Sequence, residues 1–318
     1  LPDSVSAAST APPAARRRGW GLRFSLRGLL IVITLLCVSL AWRLHRAKQQ
    51  REAVLAIRAA SGWVYYDYQH YDPTTCKFDD KAVPWEPQWL QAHLGVDFFH
   101  DVEAVNMSFH GQGSPRRDEK APDPPIAQHL AHLPRLRFLG LTEGACNDEG
   151  MRHVGQLRHL EVLLFWDAPQ ITDAGAVHLT NMPSLTCLHI GSSQVGDRGL
   201  ATIARLPRLD SLSMQRNNFT DAGLASLAGN PRIEKLWLGG LDDRVSRITN
   251  AGVLHLATLP ALQELDLQYT QVTLEGLAPL QCLPLKDLYL NGSLADDQRA
   301  AQAMFPNCKI SARSPETP

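Results

Sequence analysis

The sequence has six cysteines in 318 residues, and none stands in a C-x-x-C pair or any other paired spacing. That absence leaves no zinc knuckle and no disulfide framework to read, so Cys37, Cys76, Cys146, Cys187, Cys282 and Cys308 are expected to be small apolar side chains in packed positions. Also missing are a G-x-S-x-G elbow, a Walker loop and an H-E-x-x-H helix. No nucleophile, phosphate cradle or metal helix is therefore announced by motif, and no catalysis, cofactor or metal is expected. Net charge is low as well, with 31 Lys+Arg against 32 Asp+Glu, but the average hides a division. Residues 1–60 hold ten basic and two acidic side chains (+8), leaving 21 basic and 30 acidic (−9) for the remainder. An acidic body argues against nucleic acid as its partner, because phosphate backbones need a positive footprint.

One long apolar run is present, Leu29 to Trp42, and counting from Phe24 it reaches 19 residues with Arg27 as its single charge. That length spans a bilayer as a helix if Arg27 snorkels, with Trp20 and Trp42 at the two interfaces. Ser39-Leu40-Ala41 also offers the small-x-small site of a cleaved secretory signal. The run passes without a break into Trp42-Arg43-Leu44-His45-Arg46, which reads as a stop-transfer flank, so a retained anchor over 23–42 is the expectation. Arginines flank both ends, and the charge rule sets no orientation. The spacing of Val54, Ile57 and Ala60 predicts a juxtamembrane helix over 43–62. Around these lie a disordered basic tail (1–22), an aromatic cap module (63–110), a charged Pro/Gly loop (111–125) and a disordered end (311–318).

From residue 133 the chain repeats itself. The pattern L-P-x-L-x-x-L-x-L begins at Leu133 and returns at Leu157, Met182, Leu206, Asn230, Leu259 and Leu283, with spacings of 24, 25, 24, 24, 29 and 24. Gly150, Gly175, Gly199, Gly223, Gly252 and Gly276 keep the same beat, inside segments such as Ile171-Thr-Asp-Ala-Gly. In L-x-L the leucines face one side of a short strand and the middle residue faces the other. Successive strands pair in parallel, the remainder of each unit returns as a helix, and Thr172-Asp173 and Thr220-Asp221 are its cap and first turn. The extra residues of the 29-residue unit, near 241–247, form a surface loop. Phe99–Met107 and Phe305–Ile310 fit the spacing as first and last strands.

These units resemble the leucine-rich repeat, in the T-D-x-G-L variety also found in the substrate-binding arms of F-box proteins. Arg23-Phe-Ser-Leu-Arg-Gly-Leu-Leu at the start, with Trp89-Leu-Gln-Ala-His-Leu-Gly-Val-Asp-Phe-Phe99, is similar to bacterial single-span membrane proteins of this repeat class. Arg158, in place of the usual Pro, and the added residue at Ala168-Pro169 are small departures. The resemblance implies an α/β solenoid over 126–310, with parallel strands on the concave face, helices on the convex face and an N-terminal transmembrane helix.

Twelve histidines invite a metal reading, but His153, His178 and His255 each follow a marker glycine by three residues, and His129 aligns with them. Recurrence at one repeat position points to a polar helix face rather than to ligands. The concave face is the better candidate. Its outward columns bring together Phe138, Val162, Leu164 and Trp166 at the N-terminal end, then His189, Ser213, Lys235, Trp237, Glu264, Asp266, Tyr269, Asp287 and Tyr289. Exposed aromatics beside acids favour a protein or peptide partner with a basic patch, held without catalysis. The apolar end would alternatively be covered by the aromatic module or the 111–125 loop. Two other readings stay open: an F-box-like ligase adaptor, resting on repeat type alone, and an enzyme with a site in 63–110.

Overall fold

The computed structural model describes residues 26–69, 71–72, 77–79, 81–107, 126–141, 146–240, 246–290 and 295–311; the expected N-terminal tail, the 111–125 loop and nearly all of the C-terminal tail lie outside the described residues. The chain divides into two units, one ending at Arg43 and one beginning at Leu44.

No glycine or proline interrupts residues 29–59, and they form one helix, α1 (Leu26–Ala59). Its apolar part is long and apolar enough to cross a membrane, and the large side chains there are exposed. Beyond Arg43 the helix changes character. Ala47, Gln50, Val54 and Ile57 recur three to four residues apart, make one face and are buried. The stretch expected as a juxtamembrane helix is thus part of the body's core, where Ala53, Val54 and Ile57 join Tyr66, Val102 and Val105.

That end of the core is the cap: β1 (Trp63–Tyr66), a short antiparallel pair β2 (Tyr71–Asp72) and β3 (Lys77–Phe78), α2 (Gln88–Leu94) and β4 (Val102–Asn106). β1 runs antiparallel to β4 and closes the sheet. Polar groups fix α1 to it. Gln50 Nε2 donates to the His100 carbonyl (2.7 Å), Arg46 donates to Asp101 Oδ1 (2.6 Å), and the Tyr66 hydroxyl donates to Asp97 Oδ1 (3.0 Å). His100 is held by carboxylates on both ring nitrogens, Asp67 at 2.5 Å and Glu86 at 2.9 Å.

The repeats follow, as α3 (Ile126–Leu130), β5 (Phe138–Leu141), α4 (Asp148–Val154), β6 (Val162–Phe165), α5 (Asp173–Ala176), β7 (Cys187–Ile190) and α6 (Asp197–Ile203). After them come β8 (Ser211–Ser213), α7 (Asp221–Leu224), β9 (Lys235–Trp237), α8 (Asn250–Leu256), β10 (Glu264–Asp266), β11 (Asp287–Tyr289), α9 (Ala295–Met304) and β12 (Lys309–Ser311). One ten-stranded sheet runs β1-β4-β5 and onward in chain order to β12, parallel from β4. Register is kept position for position, so Leu139, Leu163, Leu188, Leu212, Leu236, Leu265 and Leu288 form one buried row. Each such leucine contributes about 2 kcal/mol by leaving water, and only the neighbouring units supply its cover.

The marker residues work between units as well as within them. Thr172, Thr220 and Thr249 cap their own helices. Each also donates, through backbone N and hydroxyl, to the aspartate one unit earlier: Asp148, Asp197 and Asp221, at 2.6–2.9 Å. That carboxylate passes over the next marker glycine. A Cβ on Gly223 would lie 2.5 Å from Asp197 Oδ1, and one on Gly252 would lie 2.3 Å from Asp221 Oδ1. Glycine recurs because the aspartate of the preceding unit occupies the space of a side chain. Among the described cysteines, Cys146 and Cys308 are buried and Cys187 is half-buried, Cys37 lies in the apolar part of α1, and Cys282 is exposed, which corrects the expectation of a packed position for Cys282; Cys76 lies outside the described residues.

Candidate binding face

The outward residues of β4 to β6 are not a free surface. Phe138, Val162 and Leu164 are buried with Ala104, and Tyr65 and Phe78 pack against them. The Phe78 ring stacks on Tyr65 at 4.1 Å and meets Phe138 edge-on at 6.0 Å. The aromatic module covers this end because four adjacent apolar groups gain more from burial than the strands gain from staying open. Phe138, Val162 and Leu164 are therefore removed from the candidate face.

From β7 onward the outward column is polar and aromatic: His189, Ser213, Trp237, Asp266 and Tyr289 stand side by side on five paired strands. They were expected to be exposed and are not. His189 is 5% exposed, Ser213 2%, Trp237 7%, Asp266 1% and Tyr289 5%. Each stands one strand spacing from the next in the column. Trp166, half-buried just past β6, lies on the His189 ring with centroids 4.8 Å apart. The column beside it stays more open: Lys235 is exposed, while Cys187, Ser211, Glu264 and Asp287 are half-buried. Tyr269 falls outside both columns. It takes a left-handed φ of 53° at the turn after β10, the position where Ser192 and Arg216 do the same in their units.

Asp266 is the electrostatic centre of this face. Its Oδ1 accepts from Gln268 N (2.8 Å) and its Oδ2 from Gln215 Nε2 (3.0 Å). Burial nonetheless pushes its pKa up to about 6. Glu264 is raised by burial too, and Tyr289 is pushed up to about 12 by burial and by the acids around it. Lys235 Nζ is the one described cation at ion-pair distance from these acids, 3.8 Å from Glu264. His189 goes the opposite way, down to about 4, because burial disfavours its charged form. Gln215 and Gln268 were missed in the sequence, although the alternation that marks Trp166 as outward marks them also.

The recurrent histidines lie half-buried on the helices, and among the described residues no group of His, Cys, Asp and Glu is placed to hold a metal. His100, inside the 63–110 module, has both ring nitrogens engaged by carboxylates.

The family model for the leucine-rich repeat matches residues 181–204, 208–228 and 259–280. No curated protein matches the chain. Among solved structures, the chain is similar to an internalin C2 from Listeria monocytogenes str. 4b F2365, with 23% identity and a TM-score of 0.39. That match covers 51% of this chain and 65% of the internalin chain, less than two thirds of its length. The repeat spacing, the parallel ladder and the family match together make the fold an α/β leucine-rich-repeat solenoid.

Proposed function

We propose that this protein is a membrane-anchored interaction module of the kind found in bacterial single-span leucine-rich-repeat proteins, holding a protein partner on the outer face of β7 to β11. One observation carries the reading: three carboxylates, Asp266, Glu264 and Asp287, gather on that face, with two described lysines in the neighbouring column, Lys235 at 3.8 Å from Glu264 and Lys309 in register with Asp287 on β12. An excess of acids over cations on an outward sheet face fits a basic partner surface, through steering and through relief of the burial cost at Asp266. The apolar part of α1 supplies the anchor and Arg27 its snorkelling charge. The ligase-adaptor reading rests on repeat type alone and has no observation of its own.

The test uses Glu264→Lys and Asp287→Lys, which reverse half-buried charges without cutting into the core. Partner captured by a photo-crosslinking residue at position 211 in native membranes should fall at least tenfold in the double reversal, and should weaken as salt is raised. Capture unchanged by reversal and by salt would place the partner elsewhere.

A further inference from the structure

Four polar atoms on this face have no hydrogen-bond partner: Trp166 Nε1 just past β6, His189 Nδ1 on β7, Ser213 Oγ on β8 and Trp237 Nε1 on β9. The last three belong to residues in direct register on adjacent strands, and the fourth belongs to the ring lying on His189. The Trp237 indole is near enough to Glu264 to favour that carboxylate's charge, but its N–H reaches no acceptor at bonding geometry. Buried polar groups are paired almost throughout folded proteins. A line of unpaired ones on the outer side of a sheet, away from the leucine core and ending at a buried carboxylate, is a set of groups waiting for a complement.

We infer that this line is a subsite for an extended peptide segment of about four to five residues bearing one Lys or Arg, whose backbone carbonyls accept from the line and whose cation ends on Asp266, Glu264 and Asp287. The inference rests on the reading of this face as the partner-binding one. Indole N–H groups only donate, so whatever lies over Trp166 and Trp237 must present acceptors. Adjacent strands are about 4.8 Å apart, which places His189 and Asp266, three strands apart, about 14 Å from each other. An extended chain advances about 3.4 Å per residue, so about four residues bridge that distance, with alternate carbonyls pointing to the same side. A glycan would also offer acceptors, but it has no cation for the three carboxylates. Rotation of the Trp166 ring off His189 opens the His189 end of the line.

The experiment uses the full chain in detergent and a panel of capped pentapeptides with one Arg and four varied positions, set against the same panel with Gln for Arg. The Arg panel should yield binders at least tenfold tighter than its counterpart, and Asp266→Asn should erase that preference. Trp166→Phe and Trp237→Phe keep the rings and delete the N–H groups; each should weaken a selected peptide about threefold to tenfold with circular dichroism unchanged. No Arg preference, or full binding by both Phe variants, would overturn the inference. If the charge reversals above abolish partner capture while the panel shows no preference, the face stands and the extended segment falls. If the reversals leave capture intact, the reading of the face falls and this inference falls with it.

Discussion

The two ends of the same sheet have identical register and opposite outer faces. On β5 and β6 the outward residues are Phe138, Val162 and Leu164, and they have drawn Tyr65 and Phe78 over themselves. On β7 to β11 they are His189, Ser213, Trp237, Asp266 and Tyr289, which keep polar atoms unpaired and a carboxylate pKa raised to about 6. The repeat fixes where side chains point, and their chemistry decides which part of the outer face becomes core and which part stays polar.

Substitutions at the two ends should therefore fail differently. Phe138→Ala removes a ring buried beneath the aromatic module and should cost about 3–5 kcal/mol in denaturant unfolding; Ser211→Ala, half-buried on β8, should stay within about 0.5 kcal/mol. Gly175→Ala and Gly252→Ala force a Cβ onto the carboxylates of Asp148 and Asp221 and should each cost about 1–3 kcal/mol, alike at both ends because the ladder is common to both. A marked inequality between them would mean that the units are not equivalent in their backbone.

The electrostatic difference is read by pH. The folded chain holds the Asp266 proton up to about pH 6, whereas the unfolded chain releases it near pH 4. Between those values the folded state binds more protons, so the contribution of Asp266 to stability falls as pH rises through that window. Asp266→Asn should flatten the fall, by on the order of 2 kcal/mol between pH 4 and pH 7, in urea melts at each pH. An unaltered slope would show that Asp266 is solvated. A small effect is also expected at Lys235→Ala, where the exposed ammonium, 3.8 Å from half-buried Glu264, should contribute less than about 1 kcal/mol.

The repeat was legible because L-x-x-L-x-L and the marker glycines are local and periodic; the β5–β12 ladder follows from them directly. Two things were not. The burial of Ala47, Gln50, Val54 and Ile57 depends on a cap strand some fifty residues away, and no local spacing separates a spacer helix from one that docks. The closing of Tyr65 and Phe78 over Phe138 is likewise a long-range choice, visible beforehand only as an aromatic module near an apolar column. At the candidate face the column residues stand in register on adjacent strands, but Trp237, Asp266 and Tyr289 are buried where the alternation alone predicts exposure. Periodicity gives direction but does not set burial.

The central claim, that β7 to β11 form the receptive part of the sheet, is tested most directly at the indole N–H groups. The seven tryptophans give seven indole ¹⁵N–¹H signals, and Trp166→Phe and Trp237→Phe assign the two that matter. On titration of the full chain with a selected Arg pentapeptide, the Trp166 and Trp237 signals should move downfield as acceptors reach them, while those of Trp63, Trp85 and Trp89 stay in place. Movement of the cap tryptophans with Trp166 and Trp237 unmoved would contradict the account.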